Sequence, residues 1–173
     1  TFCFPIDQYY KKIDLYKNEV FYKNICLEFI DLYEKKMFSP SLVQNIKEVF
    51  VDINKLSIPQ FVLSASEKNL LFQAVEHYKL TPYFSSVWGV KNLNAIGKER
   101  LAEKMIEQTK ICPSETLLIG DTLYDYDVAK HCGFMVLLVS FGHFKRARLL
   151  SVGDGPVLDS PLDILSYIKK INL

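Results

Sequence analysis

Three aspartates that follow a short apolar run carry the strongest chemical signal in the sequence. The apolar run "TLLIG" ends at Gly120, and Asp121, Asp125 and Asp127 follow within seven residues. Carboxylates this close repel one another unless a cation or a lysine that also binds phosphate balances them. We therefore expect a positive charge beside these aspartates.

Other chemically useful side chains lie at the ends of the predicted strands. Ser64 follows "FVL", Ser140 follows "VLLV", and Lys98 opens the helix that precedes "TLLIG". If the strands are parallel, their carboxyl ends meet at one edge of the sheet. A hydroxyl, a lysine and carboxylates at that edge would form a phosphate and divalent-cation site. Magnesium is the expected ion, since it prefers one or two carboxylates with phosphate and water, and Asp121 is the expected ligand.

Strand and helix patterns alternate from residue 59 onward, which predicts an α/β fold with a doubly wound parallel sheet. The predicted strands cover residues 59–66, 83–90, 116–120, 134–140 and 155–159. The predicted helices cover residues 67–80, 98–110, 123–133, 144–150 and 161–171. Gly133 is the expected C-terminal cap of the helix that carries the aspartates.

The character of the sequence changes near residue 39, and we predict a boundary between residues 1–38 and 39–173. The first segment is rich in Tyr, Phe and Lys, and its apolar spacing predicts a helix from Glu19 to Lys36. Ser39 and Pro40 are expected to cap and open the next helix, whose apolar stripe runs from Leu42 to Leu56.

Composition excludes several classes of protein. The chain has 173 residues and is 49% hydrophobic, enough for one domain, or one domain with a small appendage. Its formal charge of +1 gives no reason to expect nucleic acid or an anionic membrane as partner. The four cysteines lack CxxC spacing, which argues against a zinc site or a disulfide framework. Neither a signal peptide nor a membrane-spanning run is visible, so we expect a cytoplasmic protein.

Together these motifs resemble a known family. "FVLSAS", Lys98 in "NAIGKERLAEKM" and "LLIGDTLYDYDVAKHCG" resemble the second, third and fourth motifs of the haloacid dehalogenase superfamily, in order. The tail at residues 136–168 is similar to the end of its phosphoglycolate-phosphatase-like members. The resemblance implies a Rossmannoid parallel sheet flanked by helices at residues 39–173 and part of a helical cap at 1–38. It also implies a Mg²⁺-dependent phosphatase that hydrolyses a small phosphorylated metabolite through an aspartyl-phosphate.

The resemblance also assigns roles to individual residues. Ser64 matches the hydroxyl that hydrogen-bonds the transferring phosphoryl group, assisted by the backbone N–H of Ala65. Lys98 matches the lysine that steadies the charge of the nucleophile and of the phosphoryl oxygens. Asp121 matches the magnesium ligand, and Asp125 matches the acidic residue that either completes the metal shell or orients the lysine. His143 is open to two interpretations, a substrate contact or the end of a strand.

The nucleophilic aspartate of the first motif has no convincing match in the sequence. Asp7 is a poor candidate because Pro5 interrupts the apolar run before it. Asp52 lies only twelve residues before Ser64, too close for the crossover that a parallel connection requires, and belongs to the predicted Leu42–Leu56 helix. The expectation is that the first motif lies upstream of Thr1.

A missing first strand would leave a gap in the sheet between the strand ending at Ser64 and the strand ending at Gly120. Three outcomes are open: an upstream segment fills the gap, the two flanking strands close up, or another chain fills it, which includes self-association. The alternative function is a catalytically inactive remnant that keeps the fold as a binding or interaction module.

Overall fold

The computed structural model describes residues 6–90, 97–152 and 155–171. The chain divides into two compact units, Thr1–Ser41 and Leu42–Leu173, and each unit is described by itself. Within the described ranges, no helix combines the length and the apolar character needed to cross a membrane.

The first unit contains the helices α1 (Ile6–Lys12) and α2 (Glu19–Lys36). The bounds of α2 are those that the apolar spacing predicts, and the Asn18 side chain caps it by accepting the Phe21 N–H at 2.9 Å. Asp7 lies within α1, whereas a first-motif aspartate would directly follow a strand. The residues before it, 1–5, lie outside the described ranges.

The second unit alternates strands and helices and confirms the predicted α/β fold. Its helices are α3 (Ile46–Lys55), α4 (Lys68–His77), α5 (Lys98–Thr109), α6 (Leu123–Cys132), α7 (Arg146–Leu149) and α8 (Leu162–Ile171). Its strands are β1 (Phe61–Glu67), β2 (Ser86–Val90), β3 (Leu117–Gly120), β4 (Met135–Val139) and β5 (Val157–Leu158).

All strand pairings in the described ranges are parallel, but the strands form two separate sheets. β1 pairs with β2, and β4 lies between β3 and β5. Among the described residues β1 has no partner besides β2, and β3 has none besides β4. Each of these two strands therefore has one open edge.

The core is built around β4, the central strand of the larger sheet. Leu137 and Leu138 are both completely buried, and since successive side chains point to opposite faces, β4 is buried on both. One face packs against α3 and α8, in a cluster of six buried residues: Val49, Ile53, Leu137, Val139, Ile164 and Ile168. Helix α6 packs against β3 and β4.

The predicted start of α3 is wrong. Ser39 does not cap this helix, because its hydroxyl donates at 2.7 Å to the carbonyl of Lys36, the last residue of α2. Asn45, in the left-handed conformation with φ 66°, stands at the N-cap of α3 without a side-chain capping bond. Asp52 lies inside α3, as predicted.

Candidate active site

The turn from β3 into α6 places Asp121 and Asp125 next to each other. Thr122 caps α6: its hydroxyl oxygen accepts the Asp125 N–H at 3.2 Å, and the Asp125 carboxylate accepts the Thr122 N–H at 3.0 Å. Gly120 permits this approach, because a Cβ at its position would lie 2.7 Å from Asp125 Oδ2 and closer still to Asp125 Cβ and Cγ. The tight turn thus depends on a residue without a side chain.

Asp125 is buried and engaged through both carboxylate oxygens. Oδ1 contacts the ammonium Nζ of Lys98. Oδ2 accepts hydrogen bonds from Asp121 N at 3.1 Å, Thr122 N at 3.0 Å and the Thr122 hydroxyl at 2.7 Å. Such additional hydrogen bonds offset the desolvation of a buried ion pair. Of the two roles that the resemblance implies, this geometry favours orientation of the lysine.

Lys98 supplies the positive charge that the clustered aspartates predict. The side chains of Lys98 and Asp125 are only 12% and 7% exposed, so water screens their attraction weakly. Lys98 opens α5, as predicted. The cation therefore reaches the β3–α6 turn from the first turn of a neighbouring helix.

Asp121 directly follows the last residue of β3. Its Oδ2 accepts the His143 N–H at 2.6 Å, and its carbonyl accepts the Phe144 N–H at 3.2 Å. Its other carboxylate oxygen, Oδ1, accepts no hydrogen bond from the residues that the structure describes. His143 thus contacts the site through its backbone.

Gly142 allows the loop after β4 to approach Asp121. A Cβ at Gly142 would lie 2.7 Å from Asp121 Cγ, and closer to its Cβ and Oδ2. Such contacts are too short for real atoms, so any side chain at this position would displace the carboxylate or the loop. No sequence pattern signals this role, because the close approach joins residues far apart in the chain.

Tyr124 connects α6 to the first turn of α5 and was not identified from the sequence. Its hydroxyl oxygen accepts the Lys98 backbone N–H at 2.8 Å and donates to Glu99 Oε2 at 2.6 Å. Burial raises the pKa of the Tyr124 phenol, and the hydrogen bond to Glu99 raises it further. The phenol therefore keeps its proton, and with it the donor for Glu99.

Ser64 lies inside β1, three residues before its end, whereas the sequence placed it at or just beyond the end of a strand. Its oxygen accepts the Ser66 N–H at 3.1 Å, and its hydroxyl donates to Ser66 Oγ at 3.1 Å. Ala65, between them, is exposed. In the described part of the chain no hydrogen bond joins Ser64 to Lys98, Asp121 or Asp125. The structure brings those three together by direct contacts, but not Ser64.

An apolar cavity of about 970 Å³ lies beside β1 and β3. Leu63 of β1, Ile119 of β3 and Lys98 of α5 are among its lining residues, together with side chains of α3 and α8. We call this cavity the strand groove. The open edges of β1 and β3 have not paired with each other. For the described residues, the outcome in which the two strands flanking the gap close up is therefore wrong.

The donor set fits magnesium better than a metal that requires a full protein cage. No group of three or more His, Cys, Asp or Glu residues in the described ranges could hold a metal ion. Magnesium does not need such a group, because one or two carboxylates suffice when substrate phosphate and water complete its shell. Asp121, with Oδ1 available at the end of β3, is the residue that suits this role.

Several solved structures have a fold similar to that of this chain. A predicted phosphatase from Clostridium acetobutylicum has a TM-score of 0.82 at 21% identity, over 98% of this chain and 78% of that one. A haloacid dehalogenase-like hydrolase from Streptococcus pneumoniae has a TM-score of 0.81 at 17% identity, over 91% of this chain and 75% of that one. A predicted phosphoglycolate phosphatase from Haemophilus somnus has a TM-score of 0.75 at 18% identity, over 93% of this chain and 72% of that one.

Sequence comparison gives the family. No protein of curated function matches the sequence significantly. The family model described as haloacid dehalogenase-like hydrolase matches residues 4–139, which include β1, β3 and the contact between Lys98 and Asp125. With the α/β fold and the site geometry in agreement, the chain belongs to the family of haloacid dehalogenase-like hydrolases.

Proposed function

We propose that the protein is a Mg²⁺-dependent phosphatase that hydrolyses a small phosphorylated metabolite through an aspartyl-phosphate. The observation that carries the proposal is the buried contact between Lys98 and Asp125, next to an aspartate with an available oxygen at a strand end. Phosphoryl transfer requires positioning and neutralisation of charge, and this arrangement supplies both.

Each residue has a defined task in the proposed reaction. Asp121 holds Mg²⁺, which when bound would neutralise charge on the phosphoryl oxygens. Lys98 balances the phosphoryl charge on another side, and Asp125 orients Lys98. Ser64 and the N–H of Ala65 would hydrogen-bond the same group, which requires the Ser64 hydroxyl to turn from Ser66. An aspartate oxygen bonds to phosphorus as the ester bond breaks, and water then hydrolyses the acyl phosphate.

The strand groove supports a proposal for the source of the nucleophile. Its lining is mainly apolar, its walls include two strands with open edges, and Lys98 is among its lining residues. A further apolar strand would satisfy both edges and bury the groove. An aspartate at the end of that strand would meet the positive charge of Lys98. We propose that residues N-terminal to Thr1 in a longer protein supply this strand and the nucleophile.

The test is hydrolysis of p-nitrophenyl phosphate by the protein extended through any upstream reading frame, with Mg²⁺ and with chelator. We expect Mg²⁺-dependent turnover that Asp121→Asn reduces by at least 100-fold, since a metal ligand is removed. Asp127→Asn is the matched control, because Asp127 lies on another face of α6, and it should keep turnover within threefold.

Two results would contradict the proposal. Full Mg²⁺-dependent activity in Asp121→Asn would show that Asp121 does not hold the metal. An extended protein that folds but shows no turnover would contradict the proposal that the protein is a phosphatase. Turnover by the 173-residue chain alone would support the phosphatase but overturn the strand groove as the place of the nucleophile.

A second candidate function is a binding module without catalysis. The open strand groove favours it, because in the described ranges the groove is an apolar surface that a partner strand could cover. No turnover from a folded extended protein, together with binding of a strand peptide in the groove, would support this function over the phosphatase.

A further inference from the structure

The start of α5 is held in an unusual way. Its N-cap residue is Gly97, which offers no side chain, and no side-chain capping bond is made there. The first N–H groups of a helix lack intrahelical acceptors, so the Lys98 N–H requires a partner from elsewhere. The Tyr124 hydroxyl of α6 is that partner, at 2.8 Å.

The Tyr124 hydroxyl is also fixed in orientation. It donates its single proton to Glu99 Oε2 at 2.6 Å, which directs a lone pair toward the Lys98 N–H. The fit leaves no spare room, since a Cβ at Gly97 would lie 2.7 Å from the Tyr124 hydroxyl oxygen. The phenol, Glu99 and the start of α5 therefore form one closely packed unit.

Tyr124 and Asp125 are consecutive residues of α6, and both contact Lys98. Asp125 contacts the side-chain ammonium and Tyr124 holds the backbone N–H. A long flexible lysine has several rotatable bonds, and anchoring both of its ends limits the positions that the ammonium can reach. We propose that Tyr124 is a positioning residue for Lys98, so that α6 fixes the lysine at its backbone and at its charge together. This inference extends the proposed function and names a residue that acts through Lys98.

The test uses nuclear magnetic resonance on the 173-residue chain and needs no catalysis. The ¹H–¹⁵N signal of a lysine ammonium is observed only when hydrogen bonding slows its exchange with water. In Tyr124→Phe we expect the Lys98 ammonium signal to be lost. We also expect the Lys98 backbone amide to exchange roughly fivefold faster, as the loss of one hydrogen bond implies.

Tyr126→Phe is the matched control. Tyr126 lies on the same helix, and its ring, 5.2 Å from Lys130 Nζ, is kept by phenylalanine. This variant should leave both Lys98 signals as they are in the unchanged protein. If Tyr124→Phe melts as a whole, Glu99→Ala takes its place, because it leaves the phenol but frees its proton. There we expect the Lys98 amide to exchange faster while the melting temperature stays within a few degrees.

The outcomes separate this inference from the proposed function. An unchanged ammonium signal and unchanged amide exchange at Lys98 in a folded Tyr124→Phe protein would overturn the positioning role, whatever the hydrolysis assay shows. Unchanged exchange of the Lys98 amide in a folded Glu99→Ala protein would also overturn the positioning role. Loss of the Lys98 signals in Tyr124→Phe would support the positioning role even if the extended protein had no phosphatase activity. In that case only the proposed phosphatase function would be contradicted.

Discussion

At the residue scale, burial decides what each charged pair contributes. Lys98 and Asp125 have side chains 12% and 7% exposed, whereas Lys55 and Asp52 on α3 are 69% and 40% exposed. Both pairs are lysine–aspartate contacts within salt-bridge distance. They differ in how much water surrounds them, and Asp125 in addition accepts three hydrogen bonds at Oδ2.

We expect Asp125→Ala to destabilise the protein far more than Asp52→Ala. Removing Asp125 leaves the buried Lys98 ammonium without its counter-charge, which costs about 3–5 kcal/mol, against roughly 0–1 kcal/mol for an exposed pair. The free energy of unfolding, measured in urea for both variants, checks this difference. Similar losses in the two variants would show that the Lys98–Asp125 contact is not a buried ion pair in solution.

Asp121, Lys98 and Asp125 could be named from the sequence, whereas Tyr124 and Gly142, which contact them, could not. Asp121 and Lys98 follow from strand ends and a motif, because chemistry demands particular residue types at those places. Tyr124 and Gly142 act through contacts across the fold: Tyr124 with Lys98, and Gly142 with Asp121. Neither contact leaves a periodic or local pattern that a sequence could show.

At the scale of elements, predictions succeeded where local signals agreed. α2 and α6 have their predicted ends, at Lys36 and before Gly133, whose φ of 73° is the left-handed conformation that favours glycine. α3 begins at Ile46 instead of near Pro40, because Ser39 closes the turn after α2. A hydroxyl can serve either neighbouring helix, and the sequence does not say which.

The threonine at the start of α6 is expected to matter for helix stability. Thr122→Ala removes the hydroxyl that accepts the Asp125 N–H at 3.2 Å and donates to Asp125 Oδ2 at 2.7 Å. We expect a loss of about 1–2 kcal/mol in the free energy of unfolding, the upper range for a cap. Urea unfolding measures this loss.

Thr109→Ala is the control for that prediction. Thr109 ends α5, and its hydroxyl donates to the Met105 carbonyl at 2.6 Å. Because that carbonyl already belongs to a helix and alanine is a better helix former, we expect a change within about 0.5 kcal/mol. A loss in Thr122→Ala no larger than in Thr109→Ala would show that the cap contributes little.

At the scale of the whole second unit, the alternation of strands and helices was predictable, whereas the division of the sheet was only an expectation. The parallel pairs β1–β2 and β3–β4–β5 follow from buried apolar runs joined by helices. The strand groove between the two sheets has no counterpart in any local pattern. The groove exists because β1 and β3 do not pair with each other, and only the three-dimensional structure shows that Leu63 and Ile119 line one cavity.

The strand groove leads to a prediction about amide hydrogen exchange. In the 173-residue chain, amides of β4 should be well protected, since it is paired on both sides, and those on the open edges of β1 and β3 should exchange fast. In the extended protein the open-edge amides should become at least tenfold better protected, with β4 unchanged. Hydrogen exchange followed by mass spectrometry compares the two proteins.

Two substitutions make that comparison decisive. Ile119→Lys, in the groove at a residue 38% exposed, should abolish the gain in protection, because a strand that packs there would bury an ammonium group. Leu150→Lys, outside the groove lining and 51% exposed, should preserve the gain.

Equal protection with and without the extension would rule out an upstream strand in the groove. Protection of β1 and β3 that instead rises with the concentration of the 173-residue chain would mean that a second copy fills the groove, since only association between molecules depends on concentration.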